Sequence, residues 1–109
     1  MHTIKQYADE VRRTLDMHGE SMTYAVWLAE ECGEVMGRVR RRQRDIDAGN
    51  FAGAEAQTIG AAEELGDLTW QVFALAILLG IDPLDMLQGN VVKLRTRYPD
   101  GFVPGGGIR

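Results

Sequence analysis

Two similar acidic segments constrain this chain more than any other feature. Residues 29–35 read Ala-Glu-Glu-Cys-Gly-Glu-Val, and residues 62–68 read Ala-Glu-Glu-Leu-Gly-Asp-Leu. Each segment lies inside a long run of helical periodicity, and each carries a carboxylate three residues after its second Glu. Side chains three residues apart are neighbours on a helix surface. The sequence therefore predicts two helices that each present an adjacent carboxylate pair, Glu31 with Glu34 and Glu64 with Asp67.

These carboxylates lie on the apolar faces of their predicted helices, or at the edge of those faces. Charged groups that face a core rarely lack a partner. If the two helices face each other, the four carboxylates converge, and like charges brought together destabilise a fold unless a cation is present. Oxygen ligands of this kind suit Mg²⁺, with Mn²⁺ as a substitute. A solvated acidic surface is the alternative, but the position on the apolar face favours a metal site.

Each acidic segment also contains a glycine, Gly33 in the first and Gly66 in the second. Glycine inside a helix costs about 1 kcal/mol relative to alanine. We expect both glycines to permit a close approach of the two helices, which would bring the carboxylates within reach of shared metal ions.

Composition limits the class of protein. With 109 residues and 45% hydrophobic content, the chain forms one domain with a small core, which favours a homo-oligomer. A net charge of −4 gives no general attraction to nucleic acid or to acidic membranes. The longest apolar run, residues 72–81, is too short to span a bilayer. A single cysteine, Cys32, and the lack of a signal peptide predict a cytoplasmic protein.

Helical periodicity continues through most of the chain. A capping box at Thr3 starts a first helix that is predicted to end near Met17. Ser21 is the predicted N-cap of the second helix, which runs to about Ile46. Residues 47–57 contain small side chains and glycine, and they are predicted to form a loop with at most one helical turn.

The third helix is predicted from Thr58 to Leu79, and its apolar composition after Asp67 indicates a central helix buried on all sides. Asp82 and Pro83 then give a strong start signal for a fourth helix. No β pattern is present. The expected fold class is therefore all-α, a four-helix, bundle-like subunit.

Further polar and aromatic residues fall near the acidic segments. Arg38 projects from the face that carries Glu34, one turn further on, where it either pairs with a carboxylate or reaches a substrate phosphate. Trp70 lies one turn beyond Asp67, and core packing is its simpler role, with stacking on a nucleobase as the alternative.

One flank of the fourth helix carries an amide and two cations: Asn90, Lys93 and Arg97. They are either surface charges or a site for anionic substrate oxygens. Sites made only of carboxylates with cations nearby suit phosphoanhydride chemistry. A di-iron site is disfavoured because no Glu or Asp has a His three residues later.

The pattern Glu30-Glu31-x-x-Glu34 followed by Glu64-x-x-Asp67 resembles the MazG-like, all-α nucleoside triphosphate pyrophosphohydrolases. The segments at 66–70 and 90–102 also resemble that family, and the resemblance covers about residues 3–102. It implies a domain over residues 1–102, and the glycines at 105–107 predict that the tail at 103–109 is flexible.

The resemblance implies hydrolysis of a nucleoside triphosphate, a dNTP or a non-canonical NTP, to the monophosphate and pyrophosphate, a housekeeping role in the nucleotide pool. It implies Mg²⁺ bound by the four carboxylates of the two pairs, Glu30 as the base for the attacking water, and Lys93 and Arg97 on the phosphates with Asn90 in support. It also implies a homodimer, or a tetramer made of two dimers.

Two alternatives remain open. One is a narrower enzyme on the same scaffold, a phosphoribosyl-ATP pyrophosphohydrolase or a dCTP- or dUTP-specific hydrolase. The other is a non-catalytic helical oligomer that binds metal or nucleotide.

Overall fold

The structure, a computed structural model, describes residues 3–105. It contains four helices: α1 (Ile4–Thr14), α2 (Ser21–Asp47), α3 (Phe51–Leu78) and α4 (Pro83–Arg97). No strand occurs in this described range. The predicted all-α fold with four helices is therefore confirmed. Of the predicted tail, residues 106–109 lie outside the described part of the chain.

Helix starts follow the sequence signals closely. The Thr3 hydroxyl accepts a hydrogen bond from the Gln6 backbone, and the Gln6 side chain accepts one from the Thr3 backbone, each at 3.0 Å. The Asp82 carboxylate accepts a bond from the Leu84 N–H at 2.8 Å, with Pro83 as the first helical residue. Both predicted caps are therefore confirmed, and they fix where α1 and α4 begin.

Two predicted boundaries near α1 and α2 were wrong by a few residues. α1 ends at Thr14 because Leu15 is extended and the Asp16 side chain accepts a hydrogen bond from the His18 N–H at 2.9 Å. Such a local side-chain bond stabilises a turn in competition with the helix. The N-cap of α2 is Glu20, one residue before the predicted Ser21, and it makes no side-chain capping bond.

The long loop predicted at 47–57 was also wrong. α3 begins at Phe51, so only residues 48–50 connect α2 to α3. Gly49 supplies the left-handed backbone, with φ of 74°, and the Asn50 side chain caps α3 by accepting a bond from the Gly53 N–H at 3.0 Å. The small residues that suggested a loop include several alanines, which favour helix once a cap is present.

This short connection makes α2 and α3 an antiparallel hairpin, which is the main contact between helices. α1 packs on α3, and α4 makes fewer contacts, with α1 and α3. The core lies where α1 meets the start of α2 and the last turns of α3, and an edge-to-face contact between Tyr7 and Phe73, with ring centres 5.1 Å apart, belongs to it. Its buried members are Ala8, Val11, Leu15, Tyr24, Phe73 and Ala74.

Much apolar surface stays uncovered in one chain. The predicted burial of α3 on all sides holds for residues 70–78, which are buried or half-buried, but not for the earlier part of the helix, where Ile59 is 59% exposed and Leu65 49% exposed. The apolar stripe of α4 is open as well, with Leu84, Val91 and Leu94 all more than 40% exposed. The radius of gyration is 17.1 Å, whereas a compact domain of this length has about 13 Å.

A sharp bend of 108° separates α3 from α4. Gly80 makes the turn possible with φ of 76°, and Asp82 then restarts the chain as a helix. No single helix within the described residues has the length and apolar character to cross a membrane, and α3 and α4 reach that threshold only together, as this bent pair.

Candidate metal and active site

The two acidic segments meet across the α2–α3 hairpin. Glu31 and Glu34 on α2 approach Glu64 on α3, and one carboxylate oxygen from each lies within 4.8 Å of the other two. Further along the hairpin, hydrogen bonds from Arg38 to Gln57 and from Arg42 to Thr58 continue the same antiparallel pairing. The structure thus brings together three of the four carboxylates that the sequence placed on the two apolar faces.

These three carboxyl groups shift one another's pKa values. Burial raises the pKa of Glu31 from 4.5 to about 7, with further contributions from its hydrogen bond to Glu34 and from the negative charges around it. The pKa of Glu34 is lowered, because hydrogen bonds from Glu64 and Glu31 stabilise its ionised form. The pKa of Glu64 is raised, chiefly through its hydrogen bond to Glu34. Glu34 therefore loses its proton more readily than usual, whereas Glu31 and Glu64 hold theirs more tightly.

The other two acidic candidates lie beside this cluster. Asp67 is exposed and is not one of the three carboxylates within 4.8 Å, yet its charge raises the pKa of Glu31, Glu64 and Tyr7. It therefore lies close enough to act on the cluster electrostatically. Glu30 is exposed on α2, next in sequence to Glu31, and is also outside the group of three.

Arg38 lies on the side of the cluster that points toward the α2–α3 connection. Its positive charge lowers the pKa of Glu34 and acts in the same direction on Glu64. Its Nη1 donates a hydrogen bond to the Gln57 side-chain oxygen at 3.3 Å. Its guanidinium also lies against Gly60, where an added Cβ would come within 2.5 Å of the Arg38 Cζ. Arg38 thus reaches across the hairpin onto α3.

Trp70 is placed on the opposite side of the cluster, against α1. Its indole N–H donates a hydrogen bond to the Thr14 hydroxyl at 2.8 Å, and its ring centre lies 6.1 Å from that of Tyr24. The side chain packs against the core. These contacts favour the packing role over stacking on a nucleobase.

The α4 candidates are not joined to the cluster in one chain. Asn90, Lys93 and Arg97 are all exposed. Within residues 3–105, the ion pairs are Arg12 with Asp9 and Arg13 with Glu10, so neither α4 cation lies within 4 Å of a carboxylate. The sequence grouped these residues with the acidic site, and the single chain leaves them on a separate helix.

The explanation offered for Gly33 and Gly66 was wrong. A Cβ added at either position would meet nothing within 4 Å. Neither glycine is therefore required by the approach of α2 to α3. The close approach occurs at Gly60, where the neighbour is the Arg38 side chain.

Comparison with known protein families gives a match over residues 20–102, to the MazG nucleotide pyrophosphohydrolase domain. That range covers most of the chain. The chain belongs to the MazG nucleotide pyrophosphohydrolase family. The match to MazG includes α2, α3 and α4 completely, and with them every candidate site residue. Searches of curated proteins and of solved structures gave no match.

Membership in the MazG family confirms the resemblance that the acidic segments and the closing stretch indicated. α1 precedes the matched range, although its Ala8 and Val11 belong to the core. The matched part of the chain thus carries the acidic cluster, and α1 supports it by packing on α3.

The donor set fits a hard divalent cation. The oxygens of Glu31, Glu34 and Glu64 lie within 4.8 Å of one another, and ligands of one octahedral Mg²⁺ are spaced about 3–4 Å apart, given a metal–oxygen distance near 2.1 Å. A bound cation would displace protons from these three carboxyl groups, since each group binds metal only when ionised. The three carboxylates are thus arranged as a candidate metal site.

Sequence reasoning missed two residues, Gln57 and Gly60. Gln57 was assigned to the loop at 47–57, so no contact with the second helix was expected for it. Gly60 lay within the predicted third helix, where glycine is unfavourable. That unfavourable position was the available signal, because a glycine inside a helix often marks a place where another group approaches closely.

Proposed function

We propose that this MazG-family chain hydrolyses nucleoside triphosphates between the α and β phosphates, with Mg²⁺, to give the nucleoside monophosphate and pyrophosphate. The substrates would be dNTPs or non-canonical NTPs, and the role would be control of the nucleotide pool in the cytoplasm. Family membership supports nucleotide pyrophosphohydrolase chemistry in general. The metal, the substrate range and the location are parts of the proposal.

One observation carries the proposal, the approach of Glu31, Glu34 and Glu64 to within 4.8 Å across the hairpin. Three carboxylates so close would repel one another without shared protons or a cation. Bound Mg²⁺ would neutralise charge on the phosphate oxygens as the phosphoanhydride breaks. Asp67, whose charge already acts on Glu31 and Glu64, would complete the ligand set in the presence of nucleotide.

The remaining candidates receive roles that match their chemistry. Glu30 is exposed beside the cluster and would accept the proton of the attacking water. Lys93 and Arg97 would hold the phosphates through charge-assisted hydrogen bonds, with Asn90 in support. Arg38, next to Glu34 and Glu64, would bind the polyphosphate from the other side.

A homodimer, or a tetramer built from two dimers, is part of the same proposal. The exposed apolar stripe of α4 and the exposed Ile59 and Leu65 of α3 support it, because such surface is usually covered in a stable protein. In such an assembly, the α4 cations of one subunit could lie beside the acidic cluster of another subunit.

A product assay on the purified protein tests the proposal. The protein is incubated with Mg²⁺, or with Mn²⁺ in parallel, and a panel of canonical and modified NTPs and dNTPs that includes dCTP and dUTP, together with phosphoribosyl-ATP. Pyrophosphate and orthophosphate are quantified separately. We expect pyrophosphate and monophosphate in equal amounts and no activity in EDTA.

The other outcomes separate the alternatives. Turnover confined to phosphoribosyl-ATP, or to one of dCTP and dUTP, would replace the broad substrate range with the narrower enzyme. Release of orthophosphate would contradict cleavage between the α and β phosphates. Nucleotide binding by calorimetry without turnover on any substrate would favour a non-catalytic metal- and nucleotide-binding oligomer.

A further inference from the structure

The contact between Arg38 and Gly60 is the closest fit between α2 and α3 that depends on a glycine. A Cβ at position 60 would lie 2.5–2.7 Å from the Cζ, Nη1 and Nε atoms of Arg38, closer than real Cβ contacts allow. Gly60 is buried, and Arg38 covers it. The guanidinium group therefore rests on the backbone of α3 at a position where glycine leaves room for it.

Gln57 fixes the same guanidinium from one turn away on α3. Its side-chain oxygen accepts the hydrogen bond from Arg38 Nη1 at 3.3 Å, in a partly buried position. A guanidinium has five N–H donors. This single bond orients the group and leaves the other donors for a further acceptor.

Arg38 lies near the carboxylates of the cluster but does not form an ion pair with them. Its charge acts on Glu34 and Glu64, yet in the described range Arg38 forms no ion pair within 4 Å. An arginine on a flexible side chain would otherwise be drawn onto an acidic neighbour. Its contacts are instead with Gly60 and Gln57 on α3.

We propose that Gly60 and Gln57 are positioning residues that hold the Arg38 guanidinium beside the acidic cluster, so that it binds the polyphosphate of the nucleotide. This inference rests on the proposed function for its substrate. Arginine suits the role because its planar group can form two parallel hydrogen bonds to a phosphate. A guanidinium held in advance loses less conformational freedom when the nucleotide binds.

The first experiment measures kcat and KM for the preferred nucleotide in four variants: Arg38→Ala, Gly60→Ala, Gln57→Ala and the double variant Arg38→Ala with Gly60→Ala. We expect Arg38→Ala to raise KM about tenfold, in the range of one lost charge-assisted hydrogen bond. Gly60→Ala should raise KM by a similar factor, and Gln57→Ala by less. In each single variant kcat should change by less than about threefold.

The double variant tells positioning from a general structural effect. If Gly60 acts through Arg38, adding Gly60→Ala to Arg38→Ala changes KM no further. Independent, multiplying effects of the two substitutions would overturn the inference, and so would an unchanged KM in Gly60→Ala. Gly60→Ala should fold, because alanine favours the helix and the group it displaces is the end of a flexible side chain. Circular dichroism checks this.

A second measurement does not depend on turnover. The Nε–H signal of Arg38, assigned by its loss in Arg38→Lys, reports the order of the guanidinium in ¹H–¹⁵N NMR spectra. We expect an ordered signal in the wild type and a mobile one in Gly60→Ala and Gln57→Ala. An equally mobile signal in all three would overturn the positioning roles. If the wild type turned over no nucleotide, the proposed function would fail, and this measurement alone would decide whether Gly60 and Gln57 hold Arg38.

Discussion

The middle of the α2–α3 hairpin and the flank of α4 carry the two halves of the candidate site, and one chain builds them to different degrees. In the hairpin, Glu31 and Glu64 come from separate helices, yet their oxygens lie within 4.8 Å of each other. On α4, Lys93 and Arg97 are exposed and lie more than 4 Å from any carboxylate of the described chain. The hairpin half is fixed by a three-residue connection, whereas the α4 half follows a 108° bend and an open apolar face.

The difference teaches which part of a site a single chain can specify. Residues 48–50 set the pairing of α2 with α3, so an acidic segment on one helix must meet its counterpart on the other. Nothing comparable ties α4 to α2, since no Cα atoms of these two helices lie within 8 Å of each other. The α4 cations therefore depend on how the exposed apolar surfaces are covered.

Loss of one cluster carboxylate should have the largest effect. Glu34→Gln removes one carboxylate of the cluster and, under the proposed function, one metal ligand. Metal stabilisation of transition-state charge is worth several kcal/mol, so we expect activity to fall by about a thousandfold. Glu55→Gln, an exposed carboxylate on the same helix as Glu64, is the matched control and should keep its activity. Near-normal rates in Glu34→Gln, with helical circular dichroism retained, would remove the metal role from the cluster.

Substitutions on α4 should have an intermediate effect. Lys93→Ala and Arg97→Ala each remove one proposed phosphate contact, and each should raise KM about ten- to a hundredfold. Arg95→Ala changes the charge of the same exposed helix by the same amount and serves as the control. Equal, small effects of all three substitutions would show that α4 acts only through its general positive charge. Lys93 and Arg97 would then not form specific phosphate contacts, and α4 would not be a second half of the site.

The pH dependence of stability should distinguish the hairpin half from the α4 half of the candidate site by a smaller effect. The pKa of Glu31 is raised from 4.5 to about 7 in the fold. A raised carboxyl pKa stabilises the folded state below the unfolded value, and that stabilisation is lost as pH rises through the folded pKa. In EDTA we therefore expect the melting temperature to fall between about pH 5 and pH 8, in differential scanning fluorimetry. Glu31→Gln should flatten this slope, and so should Mg²⁺, which favours the ionised cluster. A melting temperature that rises over this range in EDTA would contradict the raised pKa of Glu31.

Glycine substitutions should give the smallest effect. At Gly33 and Gly66 an added Cβ meets nothing within 4 Å. Replacement by alanine should therefore raise stability by about 0.5–1 kcal/mol, because alanine favours a helix. Thermal unfolding of Gly33→Ala and Gly66→Ala measures this. A lower melting temperature for either variant would mean that a second surface packs against that glycine. It would then show where another subunit covers the hairpin.

The sequence predicted the approach of the acidic segments of α2 and α3 to each other for a physical reason. Glu31, Glu34 and Glu64 lie on or beside apolar stripes, and helical periodicity tells which side chains face a neighbouring helix. The start signals at Thr3 and Asp82 were equally local, and the structure confirms both caps. Features that depend on residues close together in the chain could therefore be predicted from the sequence.

The features that the sequence did not predict depend on contacts between distant residues. Asn50 caps α3 and turns the expected loop into helix, and this placed Gln57 opposite Arg38. The importance of Gly60 depends on the Arg38 side chain, which reaches across from α2 to α3. The stripe on α4 was visible as a pattern, but a pattern does not tell which surface will cover it.

The short connection between α2 and α3 also sets the register between the two helices. Each acidic segment lies well back along its helix, with the Arg38–Gln57 and Arg42–Thr58 pairs between the cluster and the turn. Adding about seven residues to each arm beyond those pairs, two helical turns on each side, would lengthen the hairpin and leave the register at the cluster unchanged. One residue inserted between Gly60 and Glu64 would instead rotate Glu64 by about 100° relative to the turn and separate it from its partners. The turn end of the hairpin is thus the place where this chain can change in length, and where a tag or a second domain can be grafted.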